Sequence, residues 1–291
     1  MKKLLLIDSH ALIHRMFHAM APLTSPSGEP IGAIYGLSQL LLRMMTETVK
    51  PDYVAACFDR PEPTFRKESF PAYKAQRAAT SPELIPQLIR AREVFAHFKI
   101  KCFELAGFEA DDLIATLATK LHDEKDLQVT ILSGDRDLLQ LVHDDHIVVE
   151  LLRNGGGETT HMNEAAVIEK YGLKPIQIID LKGLVGDASD NFPGVPGVGE
   201  KTATPLLKEF GTVEGVFENL VIVPEKISKK FEGQFEQAMK CKKLATLERN
   251  APIYLDSLED LRALPLDKPE LTKYFESLGF VSLIRRLQES Q

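Results

Sequence analysis

The feature that most narrows the folds open to this chain of 291 residues is a set of short apolar runs of strand length, three of which lead into an aspartate. Residues 3–8 end on Asp8, residues 53–58 are followed by Asp59, and residues 129–133 are followed two positions on by Asp135. Residues 147–152 form a further apolar run before the turn Gly155-Gly156-Gly157. Runs of this length bounded by turn residues read as buried strands. Helical patterns separate them, at about 31–46 before the Lys50-Pro51-Asp52 turn, from a Ser81-Pro82 N-cap to about 98, and over 109–122. Strands alternating with helices predict an α/β fold with a mainly parallel, doubly wound sheet.

Strand signals fade after Tyr171-Gly172, and helices dominate to the end apart from the glycine and proline run 194–199. The expected division is an α/β core over 1–172 and a helical subdomain over 173–291. No internal repeat or low-complexity tract interrupts this plan. Residues 252–291 carry helical patterning but no obvious chemistry, so they are expected to pack.

With 44% hydrophobic and 26% charged residues, the chain can bury a sizeable core. Its three cysteines (Cys57, Cys102 and Cys241) are far apart and fit neither a disulfide framework nor a Cys-x-x-Cys zinc site. A reduced, cytosolic setting is expected. Only four apolar residues separate Lys3 from Asp8, which makes neither a signal peptide nor a membrane span. A net charge of −7 is unusual for a nucleic-acid enzyme, because phosphate binding rests on lysine and arginine. Between residues 60 and 92, however, seven lysines and arginines face three glutamates, a local excess of four positive charges.

Taken singly, an aspartate after a strand is more often a turn residue or helix cap than a ligand. Asp8, Asp59 and Asp135 recur in the same position, and in a parallel sheet the carboxyl ends of strands meet at one edge. Glu109-Ala-Asp111-Asp112 adds three acids within one helical turn, more than favourable placement at a helix N-terminus explains. Asp135 and Asp137 lie in Ser-Gly-Asp-Arg-Asp, and Asp187 and Asp190 in Gly-Asp-Ala-Ser-Asp. Nine gathered carboxylates repel one another unless cations neutralise them, and setting them aside moves the balance to plus two. Ligation by oxygen alone favours Mg²⁺ or Mn²⁺ over zinc, and two such ions are the usual arrangement for phosphodiester hydrolysis.

Gly194-Val-Pro-Gly197-Val-Gly199-Glu-Lys201-Thr202 lies between two helical patterns and resembles a helix-hairpin-helix, whose glycines let backbone N–H groups reach a phosphate. Pro205 falls inside the second helix and is expected near its first turn. In the basic segment Phe65, Phe70 and Tyr73 interleave with Arg66, Lys67, Lys74 and Arg77, which suits single-strand binding as well as it suits a solvated face over the sheet. Lys226, Lys229, Lys230, Lys240, Lys242 and Lys243 read as a solvated helical face. The eight histidines show no zinc spacing; His10, His14 and His18 share one helical face, with His14 and His18 expected to pack or cap. Arg15 and Phe17 are close enough to Asp8 to touch a substrate.

Taken in order, Leu-Leu-Ile-Asp8, Phe-Asp59, Thr-Phe-Arg66, Tyr73-Lys-Ala-Gln-Arg77, Glu109-Ala-Asp-Asp112, Gly-Asp135-Arg-Asp137, Gly186-Asp-Ala-Ser-Asp-Asn191 and the hairpin motif closely resemble the flap endonuclease family, in the form of the 5′ nuclease domain of bacterial DNA polymerase I. The resemblance covers nearly the whole chain. It implies a PIN-like or resolvase-like core, with Asp8, Asp59, Glu109, Asp111 and Asp112 around one Mg²⁺ and Asp135, Asp137, Asp187 and Asp190 around a second, Mn²⁺ being able to substitute. It further implies that 60–98 forms a helical arch in which Lys74 and Arg77 reach the scissile phosphate, and that His14, Arg15, Phe17, Phe65, Arg66, Tyr73, Gly194, Gly197, Gly199, Lys201 and Thr202 contact DNA. K⁺ at the hairpin also belongs to the pattern. The implied partners are DNA with a 5′ flap, nick or 5′-ended duplex, RNA–DNA primer junctions and a DNA polymerase, linked or separate; no membrane is involved and the chain is expected to be a monomer. His14 departs from a frequent tyrosine and Ser9 from a frequent glycine. Two other classes stay open on sequence: a DNA-binding module without catalysis, and a PIN-like ribonuclease.

Overall fold

A computed structural model describes every residue except 123, 125, 154–156 and 291. The chain runs β1 (Lys2–Asp8), α1 (Ser9–Ala19), α2 (Gly32–Arg43), β2 (Tyr53–Cys57), α3 (Phe65–Ser69), α4 (Ile85–His97), β3 (Lys101–Phe103), α5 (Ala110–Lys120), β4 (Leu127–Ser133), β5 (Ile147–Leu152), β6 (Thr159–Met162) and α6 (Glu164–Tyr171). It continues through α7 (Ile178–Val185), α8 (Glu200–Phe210), α9 (Val213–Glu218), α10 (Glu225–Ser228), α11 (Phe235–Ala245), α12 (Lys268–Leu278) and α13 (Val281–Glu289).

The strands form one sheet in the order β3-β2-β1-β4-β5-β6, parallel except for β6. Alternation along β1 explains the layering: Leu5 and Ile7 enter one core and Leu4 and Leu6 the other, so a nearly continuous apolar strand serves both faces. The chain lays down β1, β2 and β3 in one direction and then crosses back to place β4 beside β1. That reversal is a topological switch point, and loops beyond the carboxyl ends of the strands diverge there to leave a crevice. Asp8 closes β1, and Ser133 closes β4 two residues before Asp135.

Several elements differ from the sequence reading. The 81–98 helix starts at Ile85, because Ser81 accepts the Leu84 amide in a turn instead of capping a helix at Pro82. Its inner face buries Ala91, Val94 and Phe95 in the sheet core, so α4 is a structural helix and only the segment before it is free to cover the site. β3 and β6 are short edge strands that the sequence left unassigned; β3 exposes Lys101 and Cys102. Pro205 is the sixth residue of α8, beyond its first turn, and the helix runs on past it. Of the predicted 155–157 turn, residues 155 and 156 lie outside the described residues, while Gly157 adopts φ +95°.

The helices after residue 172 do not form one separate body. α7, α8, α9 and Ala238 of α11 build a core of their own, but α12 and α13 return to the sheet, where Leu271, Phe275, Leu283 and Leu287 join the core of α1, α2 and α4. The buried apolar residues of α12 and α13 lock these two helices onto the sheet. Phe275→Ala should therefore lower stability by about 3–5 kcal/mol, the usual cost of emptying a buried phenyl site, measured by urea denaturation.

Candidate active site

Each acidic loop is held by local hydrogen bonds that aim its side chains at the switch point. Asp8 caps α1 by accepting the Ala11 amide at 3.1 Å and takes the Ser133 hydroxyl at 2.5 Å, which ties β1 to β4. Asp59 accepts the Ala110 amide at 2.7 Å and so caps α5 from the end of β2. The Ser133 hydroxyl also receives the Asp135 amide, and Asp135 in turn receives the Asp137 amide at 2.9 Å. Gly186, at φ +82°, could not carry a side chain, because a Cβ would lie 2.4 Å from the Phe192 carbonyl oxygen; this close turn brings the 187–190 loop onto the crevice. The bland reading of these aspartates as caps is thus correct for Asp8 and Asp59, and the same caps fix their carboxylates at the edge.

The Asp137, Asp187 and Asp190 carboxylates offer oxygens that all lie within 4.8 Å of one another. Burial pushes the Asp8 carboxyl up to about 7, with the charges of Asp59 and Asp135 adding to the rise and the Ser133 hydrogen bond opposing it. Burial likewise raises Asp111 far above the usual carboxylate range, reinforced by Asp8, Asp135 and Asp59. Asp137 is pushed up to about 7 by burial and by Asp135. Asp8, Asp59, Asp111 and Asp135 thus repel one another as one group, Asp137, Asp187 and Asp190 converge as a second, and Asp135 stands between them. Both groups are oxygen-only donor sets, as hard divalent cations require.

Asp112 is not part of either group. It is fully buried and held by Arg66, whose Nη1 and Nη2 donate at 2.7 and 2.8 Å, while the Glu109 and Glu248 amides donate to the same carboxylate. Its oxygens are therefore engaged, which corrects its expected role as a ligand. Arg66, expected to touch DNA, is 1% exposed and also donates to the carbonyls of Leu244 and Thr246. Tyr73, another expected DNA contact, is buried, stacks on Phe192 at 5.5 Å and donates to Glu109 at 2.8 Å. Phe65, also expected to touch DNA, is exposed, with its ring 5.8 Å from that of Phe108.

Lys74 adopts φ +52°, a conformation uncommon for a side-chain-bearing residue. Its amide is bound by the Asp190 carbonyl, and its ammonium reaches Glu109 at 2.8 Å. Burial opposes a drop in the Glu109 pKa, but Lys74 and Arg66 outweigh it and hold this carboxylate ionised. Arg77, half exposed, donates to Asp190 at 2.7 Å. Gln76 and Asn191 add bonds across the same seam, so the 72–77 segment lies along the 187–191 loop.

Lys182, which the sequence reading passed over, is the main addition. Its ammonium binds both Asp137 and Asp187. Partial burial works to raise Asp187, yet Lys182 holds it below the usual carboxylate range. A cation stationed among these acids by the protein itself marks where positive charge is needed, and a lone lysine in the apolar run Ile-Ile-Asp-Leu-Lys-Gly-Leu-Val of α7 was the available signal.

Around this edge, Arg15 donates to the Gly134 carbonyl, and the His14 ring lies 4.9 Å from that of His10, tilted by 36°. Burial and the nearby His10 and His18 charges lower His14 to about 4, so its ring is neutral near pH 7. Pockets of about 440 and 560 Å³ flank Arg15, Gly134 and Asp135 on the two sides. Phe17, expected to touch substrate, is half-buried and packs one side against the sheet core. In the hairpin, Gly194 is buried against Val185, where a Cβ would lie 2.4 Å from the Val185 carbonyl carbon, so this glycine serves packing. Gly197, Gly199 and Lys201 are exposed, Thr202 is half-buried, and Gly199 begins α8 without a side-chain cap, leaving free amides at a helix N-terminus.

Residues 3–172 match the 5′-3′ exonuclease N-terminal resolvase-like domain, and residues 173–269 match the 5′-3′ exonuclease C-terminal SAM fold. The chain belongs to the 5′-3′ exonuclease family. It is 41% identical over 288 residues to DNA polymerase I of Bacillus caldotenax, covering 99% of this chain and 32% of the relative, and 38% identical over 289 residues to that of Mycobacterium leprae, covering 99% and 31%. This 5′-3′ exonuclease chain thus spans about a third of the length of those relatives. The fold is shared with bacteriophage T5 D15 protein co-crystallised with metal ions (TM-score 0.69, 21% identity, 85% of this chain and 90% of that one). It is also shared with the catalytic core of Rad2 in complex with DNA substrate (TM-score 0.61, 15% identity, 95% and 87%).

Two outcomes follow for the isolated exonuclease chain. Arg66→Ala should lower stability by about 3–5 kcal/mol, because it strands the buried Asp112 charge, as read by urea denaturation; a change confined to DNA affinity would contradict the pinning role. The second concerns pH. Asp8 and Asp137 have folded pKa values near 7, above their ordinary 3.8, so their contribution to metal-free stability is present at low pH and fades as pH rises through 7. A cation must displace those protons. Mn²⁺ affinity measured by electron paramagnetic resonance should therefore rise from pH 6 to pH 8, and an unchanged affinity would contradict the coupling.

Proposed function

We propose that this chain hydrolyses phosphodiesters in DNA bearing a 5′ flap, a nick or a 5′ end at a duplex, with two Mg²⁺ ions that Mn²⁺ can replace. The observation that carries the reading is the convergence of Asp137, Asp187 and Asp190, with Asp8, Asp59, Asp111 and Asp135 acting on one another electrostatically, beside Lys74, Arg77 and Lys182. Asp8, Asp59, Asp111 and Asp135 would hold one ion, and Asp137, Asp187 and Asp190 the other. When bound, the pair supplies a nucleophilic hydroxide and stabilises charge on the phosphoryl oxygens.

The protein's own groups do the rest. Glu109 is kept ionised and held by Tyr73 and Lys74 as a positioned acceptor for water. The Lys74 and Arg77 cations rest on Glu109 and Asp190 and are free to turn to an incoming phosphate, where developing charge rewards them most. Lys182 yields its acids to a bound ion and stays beside them as a third cation. Exposed amides at Gly199 and the start of α8, with Lys201 and Thr202, would hold duplex phosphates away from the cut. Backbone carbonyls of the hairpin would hold a K⁺, and those of Gly194 and Gly197 also accept from Gln237 and Lys230.

Cutting DNA at 5′ junctions, including RNA–DNA primer junctions, suits a cytoplasmic monomer in replication and repair, coupled to a polymerase as in the polymerase I relatives. End-labelled 5′-flap DNA should be cut near the junction with Mg²⁺ and left intact with EDTA. Asp137→Ala should abolish cutting while sparing most binding, and Lys74→Ala should slow single-turnover cleavage at least tenfold with a smaller change in affinity. Tight binding without cleavage by the unmodified chain would leave only a DNA-binding module.

A further inference from the structure

Beside the acidic edge, a small apolar cluster stands apart from the larger cores of the fold. In it Tyr73 and Phe192 meet Cys241, Leu244 and Ala245 of α11, with Phe70 packed alongside. The Tyr73 and Phe192 rings are stacked, 12° from parallel with their centres 5.5 Å apart, and both are buried. A stacked pair of this kind fixes the orientation of each ring as well as its depth.

Phe192 is built into the loop of the second acidic group. Its amide donates to the Asp187 carbonyl at 2.8 Å, its carbonyl accepts the Asp187 amide at 3.0 Å, and the stretch between them carries Asp190. Next to it Asn191, at φ +64°, donates from its side chain to the Ala72 carbonyl at 2.7 Å. The Phe192 ring therefore holds a set place relative to Asp187, and a side chain that rests on it is registered to the same acids.

Tyr73 rests on it, and Lys74 follows directly. Lys74 is held at φ +52°, a conformation that a side-chain-bearing residue keeps only where its surroundings impose it. Two contacts hold it there: the Asp190 carbonyl accepts its amide at 3.1 Å, and its ammonium lies over the Tyr73 ring, 4.7 Å from the centre. The Tyr73 hydroxyl and the Lys74 ammonium then share Glu109, each at 2.8 Å. We propose that Phe192 is a positioning residue for Lys74: by stacking on Tyr73 it fixes the Lys74 backbone and ammonium against the acidic edge, a role that rests on Lys74 meeting the scissile phosphate. Leucine at 192 fills the apolar space without a flat face, so Tyr73 tilts and Lys74 relaxes, and a displacement of about 1 Å is enough to cost a reacting group much of its effect.

The test is single-turnover cleavage of end-labelled 5′-flap DNA by the full chain in saturating Mg²⁺. Phe192→Leu should slow cutting roughly tenfold, while flap affinity and Mn²⁺ affinity each change by less than about threefold. Phe192→Tyr, which keeps the ring, should recover most of the loss. On a Lys74→Ala background the Phe192→Leu penalty should shrink to about twofold or less, because residues acting through one another are not additive. Asn191→Gly keeps the backbone conformation and removes only an exposed bond to Ala72; it should slow cutting about threefold with both affinities kept, and it gives a second reading if Phe192→Leu does not fold. Unchanged rates, a rate loss matched by an equal loss of Mn²⁺ affinity, or the full penalty repeated on the Lys74→Ala background overturns the positioning role while leaving the nuclease standing. A parent chain that cuts no flap DNA refutes the nuclease and this role together.

Discussion

Arg66 reaches from the short helix α3 into the interior and grips Asp112 with both terminal nitrogens, while its remaining donors hold the chain at Leu244 and Thr246. One guanidinium therefore joins the basic segment, the first turn of α5 and the end of α11, three parts of the chain far apart in sequence. A buried charge pair need not add net stability relative to an apolar core, but its loss strands a charge, so it enforces one arrangement. The Glu109 side of the acidic edge inherits its position from this grip. Glu109 is anchored through its own amide to Asp112, Lys74 and Tyr73 follow α3 onto Glu109, and the 187–191 loop lies along the same segment.

The second constraint is repulsion. Seven acids are held where several resist ionising, and the fold answers with resident cations: Lys182 between Asp137 and Asp187, Lys74 on Glu109 and Arg77 on Asp190. A site so arranged is stable without metal and still attracts it, because divalent charge neutralises more acids than one ammonium can. On the proposed function, the same cations would become available for a phosphate once metal relieved them, which would link metal loading to substrate recruitment through ordinary electrostatics.

Much of this was legible in the sequence for identifiable reasons. Strands buried on both faces read as apolar runs, and Asp8, Asp59 and Asp135 after three of them marked the sheet edge, because parallel strands share a direction. What did not read was partnership over distance. Arg66 and Asp112 looked like a DNA contact and a ligand, since nothing local reveals that an arginine will turn inward to an acid 46 residues away. Tyr73 failed the same way, as an aromatic whose burial depends on Phe192. Lys182 was hidden because its two acids come from different loops. α12 and α13 looked like part of a separate helical body, for amphipathic periodicity shows that a face is buried but not against what.

The proposed function requires two ions held at the switch point by seven carboxylates, with Asp112 kept apart by Arg66. Anomalous diffraction from crystals loaded with Mn²⁺ tests this directly. The expected result is one peak among Asp8, Asp59, Asp111 and Asp135 and a second among Asp137, Asp187 and Asp190, with Lys182 drawn off its acids and the Arg66–Asp112 pair unchanged. A peak coordinated by Asp112, or Lys182 still bridging Asp137 and Asp187 with no metal beside them, would contradict it.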